Sequence, residues 1–226
     1  MNTPRNPAFS ASIALVACGL LFSLPACRPG PPQTADELAG VTQFVANGSF
    51  EEMDGENPAG WQPRRWQRAE AAFGVGPFAA GPAARAGERC VSISSADGAD
   101  ASWLATVPIR PYSRYRLAGW VRTEGVEAGT GRGAQINIHG QGEWRTPPVT
   151  GTVDWTRVEV EFDAGANDAL EVSCLLGGWG RSKGTAWFDD VELVRLSGRD
   201  LGRPSVAIDG DRTGKPMSKY IYGQFI

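Results

Sequence analysis

Between residues 41 and 196 the chain consists of short segments in which apolar and polar residues alternate, separated by clusters of Gly, Pro and Asp. Alternation with a period of two is typical of strands with one buried face, whereas helical periodicity is scarce here. The 29 Gly and 16 Pro residues supply the turns that such a chain needs. The pattern predicts an all-β sandwich with strands over 88–95, 102–109, 113–123, 133–140, 155–162, 169–177 and 185–196.

The alternation also assigns side chains to the faces of the predicted sheets. In 133–140, Ile136 and Ile138 take the core face, which leaves a polar row without formal charge on the other face: Gln135, Asn137, His139 and Gln141. In 113–123 and 169–179 the predicted inward set is Tyr115, Leu117, Gly119, Val121, Leu170, Val172, Cys174 and Leu176. The outward set there is Arg116, Trp120, Arg122, Glu171, Ser173 and Trp179.

The charge balance excludes one large class of partners. The formal net charge is −3, and no basic stripe is present that would bind a nucleic acid backbone. A single domain of about 150 residues can bury one sizeable core, and we expect a monomer.

The first 27 residues are predicted to be a lipoprotein-type export signal. Arg5 precedes an apolar run from Ala11 to Leu24, which is short for a membrane span. The run ends in Leu24-Pro25-Ala26-Cys27, which resembles a bacterial lipobox with Cys27 as the lipidated residue. The alternative is ordinary cleavage near Ala26, and either route exports the protein. We therefore expect a cell-surface or periplasmic lipoprotein or, by the alternative route, a secreted protein.

Residues 28–40 have the Pro-rich composition of a flexible linker. Beyond it, Cys90 and Cys174 are the cysteines left for the folded domain. Their positions in the alternation place them on opposite faces, so we expect both thiols to be free.

A sheet face that offers amides, an imidazole, an arginine and tryptophans has the chemistry that a sugar requires. Amides bond hydroxyl groups, and flat aromatic rings stack on pyranose faces. Trp66, Trp103, Trp120, Trp144 and Trp179 are the aromatic candidates, whereas Trp61, Trp155 and Trp187 are assigned to the core. The predicted carbohydrate-binding set is Trp120, Arg122, Gln135, Asn137, His139, Gln141, Trp144 and Trp179.

Several segments occur in a recognisable order: Asn47-Gly48-Ser49-Phe50-Glu51-Glu52, Pro58-Ala59-Gly60-Trp61, Tyr115-Arg116-Leu117-Ala118-Gly119-Trp120-Val121-Arg122-Thr123, Asp154-Trp155-Thr156-Arg157-Val158 and Gly184-Thr185-Ala186-Trp187-Phe188-Asp189-Asp190-Val191-Glu192-Leu193. As a set they resemble the carbohydrate-binding modules of the CenC type, families 4 and 9, over residues 41–196. The resemblance implies a jelly-roll sandwich of the galactose-binding-like kind.

The resemblance also implies a structural calcium ion at the edge of the sandwich. Its ligands would be the carbonyl oxygen of Asn47 and the carboxylates of Glu51 and Asp189. Asp189 is preferred to Asp190 because it is two residues from Val191. In a regular strand the two side chains share a face, so Asp189 should point inward. The alternative is that backbone N–H groups and an arginine satisfy these acids. No catalytic cofactor is expected.

Residues 197–226 carry a second resemblance. Arg203-Pro204-Ser205-Val206-Ala207-Ile208-Asp209-Gly210 and Thr213-Gly214-Lys215-Pro216-Met217-Ser218-Lys219-Tyr220-Ile221-Tyr222-Gly223-Gln224-Phe225-Ile226 are similar to the start of an α-L-arabinofuranosidase of glycoside hydrolase family 51. The family's catalytic glutamates would follow downstream. His139 is the only histidine. Neither a zinc cluster nor a Ser-His-Asp arrangement that draws on several imidazoles is therefore expected.

The sequence thus predicts a non-catalytic module that brings an exported glycoside hydrolase to a plant-type polysaccharide such as arabinoxylan or β-glucan. Two alternatives remain at this point. The chain is a fragment of the arabinofuranosidase itself, or the sandwich is a spacer without sugar affinity.

Overall fold

The computed structural model describes residues 42–66, 70–79 and 81–198. The described residues form ten β-strands and no helix, so none of them forms a helix that could span a membrane. The strands are β1 (Met53–Asp54), β2 (Asn57–Pro58), β3 (Gln62–Trp66), β4 (Ala72–Val75), β5 (Val91–Pro108), β6 (Ser113–Glu127), β7 (Gly133–Ile138), β8 (Gly151–Asp163), β9 (Ala169–Gly177) and β10 (Ser182–Gly198).

Two antiparallel sheets share strand β5. The first half of β5 lies between β4 and β10, and this first sheet continues through β6 to β8. The second half of β5 lies between β3 and β9, and this second sheet ends at β7. The predicted all-β sandwich is confirmed. The predicted export signal with Cys27, the predicted linker and the segment after residue 198 lie outside the described residues.

Strand β5 corrects one prediction. The strands predicted over 88–95 and 102–109 belong to one strand. The chain stays extended from Val91 to Pro108 and bends at Gly98, whose φ is +94°. Only glycine adopts this φ without strain. The bend allows one strand to serve both sheets.

The core lies between the sheets and follows the predicted alternation. Leu117, Ile136, Val172 and Leu176 are fully buried together with the other inward residues of their strands. Burial of such apolar side chains is the main favourable term in folding. Trp103 also belongs to this core, and its indole N–H donates to the carbonyl of Ser92 at 3.1 Å, so it does not face a ligand.

The prediction that Asp189 points inward is wrong because β10 contains a bulge. Asp190 has a φ of +47°, and the pairing with β6 shifts between Asp189 and Glu192. Phe188 and Val191, three residues apart, therefore both reach the core, whereas Asp189 pairs with Trp120 on the outer face. Asp189 is nevertheless fully buried, because the segment 85–89 covers it.

The first motif and the last strand lie against each other. The amide of Val191 donates to the carbonyl of Gly48 at 2.8 Å, next to the bulge. The Asn47 side chain donates to the carbonyls of Glu52 and Ala59 and accepts from the amide of Glu52. The two stretches are thus joined by a backbone hydrogen bond beside the bulge of β10.

Cys90 and Cys174 are both buried and free, as predicted. Burial, with a smaller contribution from the charge of Asp189, raises the pKa of Cys90 to about 12. Burial also raises the pKa of Cys174. Neither thiol has the thiolate character of a reactive cysteine.

Candidate functional site

A pocket of about 390 Å³ lies on the outer face of the second sheet. All four strands of that sheet, together with the segments after β7 and β9, contribute its lining residues: Trp66, Asp100, Asn137, His139, Gly140, Ser173, Leu175, Gly178 and Trp179. The volume is at the lower end of the range of about 300–1,000 Å³ that is usual for small-molecule sites.

The floor of the pocket carries polar groups without a protein partner. Gln135 and Asn137 of β7 pair with Leu175 and Ser173 of β9 across the sheet, so all four share the outer face. The amide oxygen and nitrogen of Gln135, the amide oxygen of Asn137 and the hydroxyl of Ser173 are buried and form no hydrogen bond. Such groups are rare in folded proteins and costly when they remain unsatisfied. Asn137 and Ser173 line the pocket and are suited to bind a ligand rich in hydroxyl groups, whereas Gln135 lies deeper, under Gly178.

An aromatic pair joins opposite edges of the sheet above this floor. Trp66 ends β3, one edge strand, and His139 follows β7, the other edge strand. Their rings stack with centroids 5.0 Å apart and an interplanar angle of 23°. The sheet is therefore curved strongly enough to make this face a concave surface.

The turn after β9 forms another wall. Gly177 and Gly178 both have positive φ, and a Cβ at Gly178 would come within 2.9 Å of the Gln135 amide nitrogen. The turn thus requires glycine to cover Gln135. Trp179 follows with a φ of +54° and is 61% exposed, so its ring is available to a ligand at the rim.

Asp100 ties this turn to the sheet. Its Oδ1 accepts a hydrogen bond from the backbone N–H of Gly178 at 3.0 Å, and the N–H of Trp179 also interacts with the carboxylate. Burial raises the pKa of Asp100, opposed by these two N–H groups and by the charge of His139.

Four of the eight predicted sugar-binding residues belong to this pocket or its floor: Gln135, Asn137, His139 and Trp179. Trp120 and Arg122 lie instead on the outer face of the first sheet. There the Arg85 guanidinium lies 4.3 Å from the centroid of the Trp120 ring, and Arg122 pairs with Asp154 at 2.7 Å.

Gln141 and Trp144 lie in the loop after β7 and do not line the pocket. The amide of Gln141 donates to the carbonyl of Ile138 in a turn. The Trp144 ring stacks on Phe162 at 4.6 Å and packs against the core. A sugar-binding role for these residues stays a prediction.

The predicted set omitted Asp100, Trp66 and Ser173. Asp100 lies between the strands predicted over 88–95 and 102–109, so it was assigned to no strand. Ser173 was assigned to the outer face but not to the site. Trp66 was an aromatic candidate, and only the curvature of the sheet brings it to His139.

The residues predicted to bind calcium make other contacts. Glu51 Oε1 accepts from the amides of Glu88 and Arg89 at 2.9 and 3.0 Å. Asp189 Oδ2 accepts from the amides of Arg85 and Ala86, and the Asn47 carbonyl accepts from the Trp61 indole. These are the contacts of the alternative in which N–H groups satisfy the acids.

The N–H groups use part of the acceptor capacity of Glu51 Oε1 and Asp189 Oδ2, since each carboxylate has about four acceptor sites. Calcium at Asn47, Glu51 and Asp189 stays a prediction. Across the described part of the chain, no three His, Cys, Asp or Glu side chains are grouped so that they could hold a metal ion.

Comparisons with known proteins return distant likenesses. No protein-family model and no curated protein sequence matches the chain. Among solved structures, the Stig cyclase FisC of Fischerella sp. TAU is 18% identical to this chain, with a TM-score of 0.49. The matched region covers 70% of this chain and 99% of the cyclase chain.

A family 61 carbohydrate-binding module in complex with β-1,4-galactotriose is 17% identical with a TM-score of 0.47, covering 68% of this chain and 99% of its own. An arabinose-bound α-L-arabinofuranosidase of glycoside hydrolase family 51 is 13% identical with a TM-score of 0.47, covering 68% of this chain but 26% of its own. Each is a likeness of fold, and none assigns a ligand to this chain.

Proposed function

We infer that the sandwich binds a glycan in the pocket of the second sheet. The observation that carries this proposal is the floor of the pocket, where the amide oxygen of Asn137 and the hydroxyl of Ser173 are buried and have no protein partner. A ligand with many hydroxyl groups satisfies both donors and acceptors there. A purely apolar ligand would leave these groups unpaired.

The aromatic rings around the pocket supply the second element of sugar recognition. Trp179 is exposed at the rim, and Trp66 and His139 stack above the floor. Sugar rings present apolar C–H faces that pack on such rings, while their hydroxyl groups reach polar side chains. Small ligands of this kind bind with modest affinity.

The first prediction tests this pocket directly. Trp179→Ala and Trp66→Ala should each weaken binding to xylan or β-glucan by about tenfold or more, on the scale of about 1–3 kcal/mol for a lost stacking contact. Affinity electrophoresis on both polysaccharides, followed by calorimetry with short oligosaccharides of xylose, glucose and galactose, measures the effect.

Trp120→Ala is the matched control, because Trp120 lies on the other sheet and outside the pocket. It should bind like the parent. Loss of binding in Trp120→Ala with unchanged binding in Trp179→Ala and Trp66→Ala would place the site on the first sheet instead. No retardation of the parent on any glycan would mean that the sandwich is a spacer.

The described pocket favours binding over hydrolysis. A retaining glycosidase needs two carboxylates about 5 Å apart, whereas Asp100 is the one carboxylate among the lining residues that the structure describes. We propose that the module serves as a targeting domain for an exported α-L-arabinofuranosidase on arabinoxylan or β-glucan, by raising the effective concentration of substrate. The codons after Ile226 test this. An open frame that encodes Glu-His and a later Asn-Glu supports the proposal, and a stop codon contradicts it.

Export and lipidation at Cys27 belong to the same proposal. Metabolic labelling with palmitate, compared between the parent and Cys27→Ser, measures whether the lipid is added. Label in the parent alone supports an anchored protein, and label in neither supports cleavage near Ala26.

A further inference from the structure

Asp100 is the feature of the pocket that glycan binding in general does not require. It is 7% exposed, pairs with Trp66 across β3 and β5, and lines the pocket beside the floor. A carboxylate has about four acceptor sites, and the amides of Gly178 and Trp179 use two of them. The rest can accept hydrogen bonds from hydroxyl groups of a ligand.

No fixed positive charge balances Asp100 within the pocket. Among its described lining residues there is neither lysine nor arginine, and His139 is the one group that can become positive. The Arg132 side chain lies next to Gly178, with its Cδ 3.7 Å from where a Cβ of Gly178 would be, but it is exposed and is not among the lining residues. The other floor groups, on Gln135, Asn137 and Ser173, are uncharged.

A second carboxylate brought into this pocket would be close to Asp100 in a partly desolvated space. Like charges repel much more strongly there than in bulk water, and such a juxtaposition is a common device for rejecting wrong ligands. In a pocket of about 390 Å³, the carboxylate of a bound uronate would feel the charge of Asp100, because charges interact over several ångströms in a partly desolvated space.

We propose that Asp100 makes this pocket selective for neutral glycans, because it accepts hydrogen bonds from sugar hydroxyl groups and repels uronic acids. The inference rests on the proposed glycan binding and adds the class of sugar. Pectin-like and other acidic chains are excluded from the pocket by this residue.

The test uses the neutral oligosaccharide that binds in the calorimetric screen and its acid form. In the acid form the primary hydroxyls are oxidised to carboxylates or, for a xylose oligosaccharide, the terminal xylose is replaced by glucuronic acid. Calorimetry is performed on the full chain at mildly alkaline pH and low ionic strength, so that carboxyl groups are ionised. The parent should bind the acid form at least about tenfold more weakly than the neutral form.

Asp100→Asn separates charge from shape. Asparagine keeps an oxygen for the Gly178 N–H but carries no charge, so the preference for the neutral form should fall to about twofold or less. Asp97→Asn removes an exposed carboxylate from the same strand and should keep the parent's preference. If circular dichroism shows that Asp100→Asn does not fold, the binding of the neutral and acid oligosaccharides to the parent still tests whether the pocket selects neutral glycans.

Equal binding of both forms by the parent would overturn the inference, and so would an unchanged preference in Asp100→Asn. Both of those outcomes leave glycan binding itself intact. Absence of binding to every neutral oligosaccharide would overturn the proposed function, and this inference with it.

Discussion

At the scale of single residues, the buried amide of Gln135 lowers the stability of the domain. Gln135 is fully buried, yet neither polar atom of its amide has a partner. An unsatisfied buried polar group costs about 1–3 kcal/mol.

Gln135→Met tests this cost in stability directly. Methionine has a similar length and shape but no polar group to desolvate, so the free energy of unfolding should rise by about 1–2 kcal/mol. Glycan binding should be unchanged, because Gln135 does not line the pocket. Urea unfolding and calorimetry measure the two quantities. Gln62→Met, the same change at an exposed site on the same sheet, should alter neither. A destabilised Gln135→Met would show that the amide is satisfied in solution.

At the scale of elements, two irregularities decide which side chains meet. Gly98 lets β5 pass from one sheet to the other, and the bulge at Asp190 reverses the faces of β10 beyond Asp189. The bulge needs a close neighbour, because the carbonyl of Gly48 accepts the Val191 amide. A Cβ at Gly48 would lie 1.9 Å from the Val191 carbonyl oxygen.

Gly48→Ala should therefore destabilise the domain by about 1–3 kcal/mol, the usual cost of forcing extra volume into a packed site. The contact is with backbone, so no side-chain rotation relieves it. Gly142→Ala is the control, since its added Cβ meets nothing closer than 3.8 Å, and it should be neutral or stabilise by about 0.5 kcal/mol. Thermal unfolding of both variants measures the difference. Equal melting temperatures would mean that the bulge does not depend on Gly48.

The same irregularities mark the limit of prediction from the sequence. Alternation is a local property, so the inward positions of β6, β7 and β9 were predicted correctly, including Leu117, Ile136 and Val172. A bulge or a bend is set by a neighbouring strand, and alternation cannot reveal it. For that reason Asp189 was assigned to the wrong face and Asp100 was missed. The stacking of Trp66 on His139 depends on curvature of the whole sheet.

At the scale of the whole molecule, segments distant in sequence converge on two acids. Glu51 and Asp189 both accept amide hydrogen bonds from the segment 85–89, which covers the outer face beside Trp120. The start, the middle and the end of the described chain thus meet here. The site stabilises the fold through backbone donors as it stands.

The calcium prediction can be tested at this junction. If calcium binds at Asn47, Glu51 and Asp189, calcium chloride should raise the melting temperature of the parent relative to EDTA, because a ligand specific for the folded state stabilises it. Asp189→Asn should abolish that increase. Equal melting temperatures of the parent in the two buffers would count against calcium and favour the observed N–H contacts.

The pH dependence of stability provides a further test in EDTA. Burial raises the pKa of Asp189 from 3.8 to about 6. Below pH 3.8 the carboxyl is protonated in both the folded and unfolded states, so its full contribution to stability is present. As the pH rises through about 6, ionisation favours the unfolded state and that contribution of about 3 kcal/mol is lost.

The variant Asp189→Asn cannot ionise at this position. Its free energy of unfolding should therefore rise by about 3 kcal/mol relative to that of the parent over this range. The asparagine amide nitrogen replaces a carboxylate oxygen that accepts hydrogen bonds, which lowers the stability of the variant by a fixed amount. This amount does not depend on pH, so it does not affect the change in the difference between the two proteins across the pH range. Urea unfolding of both proteins across the range measures the difference. A constant difference would show that Asp189 ionises as easily in the folded domain as in the unfolded chain.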